Sequence, residues 1–180
     1  MAITNETIIQ TVSGELFKNE ELNVFTVLDG ASIPDLLRQL HEQRPEHVCL
    51  YRGELEPDMA EVAPYLVRLE PDSDFTDWLF EKGWGEHWGI FALSRESLSA
   101  MRRHFRALTV VYTPDNKPVY FRYYDPRVMR AYLPTCNVEE LSKVFGPIDH
   151  YLLEDEDAKI ALRFHNDSGE LRREKIFLTT

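Results

Sequence analysis

The residues of this chain best suited to chemistry are Asp29, Arg122, Asp125 and Arg127, two carboxylates and two guanidiniums placed near predicted strand ends. Open α/β sheets bind ligands at such ends, so the four could form a small charged cluster for an anionic substrate. Sequence position alone does not bring Asp29 to the other three. A structural use competes with catalysis. Asp125 precedes Pro126, and this pair reads as a helix start, because the carboxylate accepts first-turn N–H groups and the proline has no N–H to leave unpaired. Asp29, Asp125 and Pro126 are therefore expected to be structural. Arg122 is expected to pair with a carboxylate while its stem packs on tyrosines.

Other motifs argue against an active site. Gly83-Trp-Gly-Glu-His-Trp-Gly89 resembles a nucleotide loop, but its third glycine comes one residue late and a strand is predicted after it. A phosphate cradle needs helix N-terminal amides behind the glycines, so a turn is expected instead. His41-Glu42 and Glu86-His87 lack the second helical ligand of a metalloprotease, and there is neither a P-loop nor a nucleophile elbow. Cys49 and Cys136 are the only cysteines and lie far apart, which points to no zinc site, no disulfide framework and a reducing cytosol. No catalytic residue, metal or cofactor is expected.

The elements that position these residues follow from pattern. Val119–Tyr124 reads as a strand, alternating two faces, and Asp125-Pro126 opens a helix that turns Val128, Met129, Tyr132 and Leu133 inward and halts at Pro134. Leu108–Tyr112 and Pro118–Tyr124 flank a turn and predict an antiparallel hairpin. Earlier, strands are predicted at 23–28, 47–51, 65–69 and 87–93, separated by helices capped by Ser32 and by Ser73 or Asp74 and by a short helical turn over 57–63. A helix over 95–107 carries Leu98, Met101 and Phe105 on one side, with Arg102, Arg103 and Arg106 opposite. Asn137-Val-Glu-Glu140 is a capping-box pattern ahead of a helix that Gly146-Pro147 closes. Residues 1–22 read as an arm or irregular strand, and 159–178 as a terminal hairpin. Strand-helix alternation predicts an α/β fold with a mixed sheet: parallel strand-helix units in the first half and antiparallel hairpins in the second. A single domain over residues 1–180 is expected, with 149–180 as a C-terminal hairpin appendage.

Charge narrows the function. With 31 acidic and 20 basic residues the net charge is −11, which disfavours nucleic acid as a partner. Residues 101–138 depart from this, with seven basic and two acidic residues, so the rest of the chain carries −16. Arg102, Arg103, Arg106, Arg122, Arg127 and Arg130 are accordingly read as one basic protein-docking face, against the plainer reading of solvated helix surfaces. The first residues have no basic region followed by an apolar run, and no segment is apolar for the roughly 18 residues a membrane span requires. A cytoplasmic chain without membrane contact is expected.

Val27-Leu-Asp-Gly-Ala31, Leu50-Tyr-Arg-Gly53, Val62–Val67, Trp88-Gly-Ile-Phe91, His104-Phe-Arg106, Phe121-Arg-Tyr-Tyr-Asp-Pro-Arg-Val128 and Phe145-Gly-Pro-Ile148 stand in an order and spacing that resemble the adaptor chaperones of bacterial type VI secretion. The resemblance covers about residues 23–148. It implies a protein that binds one secreted effector and helps load it onto the secretion spike protein, with no enzymatic activity of its own. The alternative is a small cytosolic enzyme acting on an anionic substrate through Asp29, Arg122 and Asp125. A general immunity or scaffold protein is a further alternative.

Overall fold

The computed structural model describes residues 5–178. Its centre is a strand buried on both sides, β1 (Asn23–Asp29), whose alternate residues feed two separate cores. Val24 and Leu28 point to one, Phe25 and Val27 to the other. A strand packed on both faces needs apolar residues at nearly every position, which explains the run from Val24 to Leu28, broken only by Thr26, whose hydroxyl donates to the Ile90 carbonyl at 3.0 Å. β1 lies between β3 (Pro64–Leu69) and β4 (Gly89–Ser94), with Val27 opposite Leu66 on one side and Ile90 on the other. β2 (His47–Cys49) borders β3, while β7 (His150–Glu154), β8 (Ile160–Asp167) and β9 (Glu170–Phe177) extend the sheet beyond β4. The strand order is β2-β3-β1-β4-β7-β8-β9.

Every neighbouring pair in this sheet is antiparallel, which corrects the expected parallel strand-helix units. The connections explain the misreading. The chain leaves β1, passes through α2 (Leu36–Gln43) and returns in β2, which runs in the same direction as β1 but sits two positions away. β3 fills the gap in the opposite direction. Likewise β3 leads through α4 (Asp74–Gly83) to β4, parallel in direction, with β1 between them. The helical crossovers do restore strand direction, as such connections should. Adjacency goes to the interleaved strand.

Helices cover both faces. α1 (Asn5–Phe17), α2 and α4 supply Val12, Leu16, Leu36, Leu40, Phe75 and Leu79 to the first core. The region read as an arm is thus largely a helix, with Ile8, Val12 and Leu16 at a four-residue repeat; residues 1–4 of that reading lie outside the described residues. α5 (Leu98–Leu108), α6 (Pro126–Tyr132) and α7 (Val138–Phe145) supply Met101, Phe105, Met129, Leu141 and Phe145 to the second core. A short helix, α3 (Pro57–Val62), joins β2 to β3 and buries none of its residues. α7 begins with the expected capping box: Asn137 accepts the Glu140 N–H at 2.9 Å and Glu140 accepts the Asn137 N–H at 2.8 Å. Ser32 does not cap α2. Its hydroxyl donates to Asp29 at 2.9 Å, and the helix starts four residues later.

Separate from the main sheet is a two-stranded hairpin, β5 (Val110–Tyr112) with β6 (Pro118–Tyr120). β6 is shorter than the strand expected to reach Tyr124, since residues 121–125 leave the ladder and turn toward α6.

Candidate functional site

β1 ends at Asp29, where Gly30 donates its N–H to the Ala63 carbonyl at 3.1 Å. A side chain at this glycine would put a Cβ 2.4 Å from that oxygen, so only glycine fits. The turn drives the Asp29 carboxylate inward, leaving its side chain 2% exposed. It accepts the Ala31 N–H at 3.2 Å, the Ser32 hydroxyl at 2.9 Å and a guanidinium N–H of Arg122. Both carboxylate oxygens are therefore used by the chain itself. The Asp29 hydrogen bond, against a smaller opposing effect of burial, raises the Arg122 pKa.

Asp125 accepts the Arg127 backbone N–H at 2.9 Å and the Arg127 side chain at 3.0 and 2.8 Å, with Pro126 in the first turn of α6. Burial pushes its carboxyl up, but the Arg127 contacts outweigh this and hold it below the usual aspartate value. The four charged residues singled out in the sequence thus meet as two adjacent ion pairs. The two carboxylates are buried, and the Arg122 and Arg127 guanidiniums that cover them are half exposed.

The Asp29–Arg122 pair has a mechanical consequence. Arg122 follows β6 by two residues, so the pair ties one root of the hairpin to the end of β1. Beside it Tyr123 is fully buried, stacked on Phe105 with ring centroids 5.8 Å apart, and donates its hydroxyl to the Phe105 carbonyl at 3.0 Å. The other root is held by Phe121 N–H donating to the Thr109 carbonyl at 2.9 Å. Burial, together with Tyr51 and Asp29, raises the Tyr124 phenol well above its usual value.

Above these anchors, Val110, Val111, Tyr112, Val119 and Tyr120 are all exposed, the two tyrosines at 67% each. Between the hairpin and the segment after β2 runs a cleft of about 490 Å³, walled by Tyr51, Leu55, Met59, Val110, Tyr112 and Tyr120. Tyr51 and Tyr120 meet with ring centroids 5.2 Å apart. Arg106 reaches the same cleft and donates to the Cys49 carbonyl at 2.9 Å, pinning the β2 end. Clustered apolar surface of this kind is uncommon on a folded chain. It was not singled out in the sequence, because β-branched and aromatic residues in a hairpin read equally well as core. The strands expected there, Leu108–Tyr112 and Pro118–Tyr124, are longer than the two three-residue strands of the structure, so their length gave no signal.

The six arginines assigned to one docking face do not share one cleft. Arg102 and Arg103 are exposed on α5, and Arg106 lines the hairpin cleft. Arg122 and Arg127 are held by Asp29 and Asp125. Arg130 donates to the Glu154 carbonyl at 2.6 Å and, with Arg127, lines a second cleft of about 530 Å³.

The Gly83–Gly89 segment forms turns around a buried carboxylate. Gly85 N–H donates to Glu154 at 2.6 Å, His87 Nδ1 contacts the other Glu154 oxygen, and Trp84 donates to the Ala158 carbonyl at 2.8 Å. Burial raises the Glu154 pKa, and Gly85 and His87 only partly oppose it. His41 and Glu42 are exposed on α2. Among the described residues no group of three His, Cys, Asp or Glu side chains is placed to hold a metal ion, and no helix is long and apolar enough to cross a membrane.

A family model described as a domain of unknown function, DUF4123, matches residues 24–143. The chain belongs to this family. The match runs from the second residue of β1 into α7, so it contains the hairpin, its cleft and both ion pairs, and leaves out α1 and β7 to β9. No curated protein and no solved structure matches the chain.

Proposed function

We propose that this DUF4123 protein is a non-catalytic adaptor chaperone of the cytoplasm, which binds one type VI secretion effector at the hairpin cleft and helps load it onto the secretion spike. The observation that carries this reading is the β5–β6 hairpin, five large apolar side chains held in solvent on anchored roots. An exposed apolar surface beside a cleft suits a protein segment, and the resemblance of Phe121–Val128 and its companion motifs to type VI adaptors supplies the kind of partner. The saturation of Asp29 by Ala31, Ser32 and Arg122 supports binding over catalysis, because a carboxylate with both oxygens occupied is poorly placed to move a proton. A specific hold of this kind buries about 1,200–2,000 Å² in total, more than the cleft alone offers, so the hairpin's outer face belongs to the same interface.

Deletion of the gene tests the proposal in cells. Delivery of one effector should stop while the spike assembles and unrelated effectors leave normally, and coexpression should raise that effector's soluble yield. Normal delivery of every effector from the deletion strain would refute the adaptor reading.

A further inference from the structure

An antiparallel ladder bonds every second residue pair, and both ends of the hairpin fix which pairs those are. Phe121 N–H donates to the Thr109 carbonyl at 2.9 Å and Thr113 N–H to the Lys117 carbonyl at 3.0 Å, which makes Val111–Val119 the bonded pair between them. The backbone groups of Val110 and Tyr112 on β5, and of Pro118 and Tyr120 on β6, therefore point away from the hairpin. The two outer edges differ. On β6, Pro118 has no N–H to offer and the Tyr120 ring meets Tyr51, so that edge is interrupted. On β5 both residues keep donor and acceptor, both side chains are exposed, and among the described residues nothing bonds to the Val110 or Tyr112 backbone. The same two residues line the hairpin cleft, across from the half-buried Leu55 and the exposed Met59. The charged side chains lining it are Arg52 and Arg106, with no carboxylate; Glu54, Glu56 and Asp58 are exposed outside the lining.

We propose that β5 takes up an extended strand of a protein partner, whose backbone pairs with Val110 and Tyr112 and whose alternate side chains, apolar with one carboxylate among them, face Leu55, Met59 and Arg52 across the cleft. Free N–H and C=O groups along a strand edge are completed by another strand and not by a helix, whose backbone groups bond within it. A third strand also suits a two-stranded hairpin, which is marginal by itself. The carboxylate follows from a cleft lined by two guanidiniums and no acid. A second copy of this chain is a poorer match: its own β5, Val110-Val111-Tyr112, brings no carboxylate, and two chains of net charge −11 repel each other. The inference rests on the reading of the hairpin cleft as the partner's site, and adds how the partner is held.

The test is fluorescence anisotropy of the full chain with a labelled peptide, Val-Thr-Glu-Thr-Val-Thr-Leu, and with two N-methylated versions that block the two edges of the peptide in turn. Saturable binding is expected. A strand pairs through one edge, so one N-methylated version should bind about tenfold more weakly than the other, as befits the loss of main-chain hydrogen bonds. Tyr112→Ala removes the ring and keeps the N–H, whereas Tyr112→Pro removes both, at an N–H that the hairpin's own ladder does not use. The proline variant should therefore bind about fivefold more weakly than the alanine variant, with thermal melts of each guarding against a folding defect. Sedimentation velocity should show a monomer. Absence of saturation, equal binding of the two N-methylated peptides, equal affinity of the two Tyr112 variants, or a dimer that Tyr112→Pro dissociates would each overturn the proposal. None of these results bears on the adaptor reading, which the deletion strain decides.

Discussion

β3 and the β5–β6 hairpin draw on the same residue types, each opening a strand with proline and continuing with valine and tyrosine, yet their surroundings are opposite. In β3, Tyr65, Leu66 and Val67 are buried between β1 and β2 with helices above and below. In the hairpin every strand residue is exposed. What separates the two is coverage: the sheet has a helical layer on each face, and among the described residues the hairpin has neither a third strand nor a covering helix. Apolar side chains in β3 therefore contribute to folding, whereas those in the hairpin leave stability to the anchors at its roots and remain in solvent.

The largest difference should come from truncating one side chain in each region. Phe25→Ala, at a fully buried position in β1, is expected to cost about 3–5 kcal/mol in chemical denaturation. Tyr120→Ala should cost less than about 1 kcal/mol, because its ring is largely in water already. Similar losses at the two sites would break the contrast.

The anchors come next in size. Asp29→Asn removes the charge that Arg122 pairs with and should cost about 2 kcal/mol, the range of a charge-assisted hydrogen bond, while raising amide exchange at residues 110–122. Because Arg122 is half exposed, water relieves part of its loss. Asp125→Ala removes the α6 cap and should cost about 1 kcal/mol without changing exchange in the hairpin. If both variants loosen the hairpin equally, Asp29 has no special part in holding it.

The smallest effect belongs to the packed half and appears with pH. Burial lowers the pKa of His104 below its ordinary 6.5, only partly opposed by its hydrogen bond to the Val144 carbonyl at 3.0 Å. The unfolded chain then takes up this proton first, so stability is present above pH 6.5 and is lost as pH falls below it. The slope from one such group cannot exceed about 1.4 kcal/mol per pH unit. His104→Gln should flatten that part of the stability curve, measured by urea titration at several pH values, without altering the hairpin's exchange.

How far these regions were legible in the sequence depends on the range of the forces that make them. The α7 capping box and the Asp125-Pro126 start are satisfied within four residues, and local composition carries such features. Strand adjacency is not local. β1 and β2 have the helical connection and the common direction of a parallel unit, and nothing within residues 23–49 announces that β3 will be inserted between them. β7 was missed for a related reason: His150-Tyr-Leu-Leu-Glu154 lacks an alternating pattern because both faces are covered, one by Leu152 in the first core and one by Tyr151 and Leu153 in the second. At the candidate site, the charged residues were visible by type, but their pairing closes a separation of 93 positions between Asp29 and Arg122. The hairpin's exposure depends on which elements fail to cover it, and a sequence pattern does not record an absent neighbour.

The affinity of the purified chain for the effector that its deletion strain fails to deliver, compared between the native protein and the Tyr112→Ala, Tyr120→Ala double variant by isothermal titration calorimetry, tests the central claim most directly. Two exposed tyrosines at the centre of an interface should account for about 4 kcal/mol between them, so binding should weaken by about a thousandfold while the melting temperature changes little. Native affinity in the double variant would contradict the account.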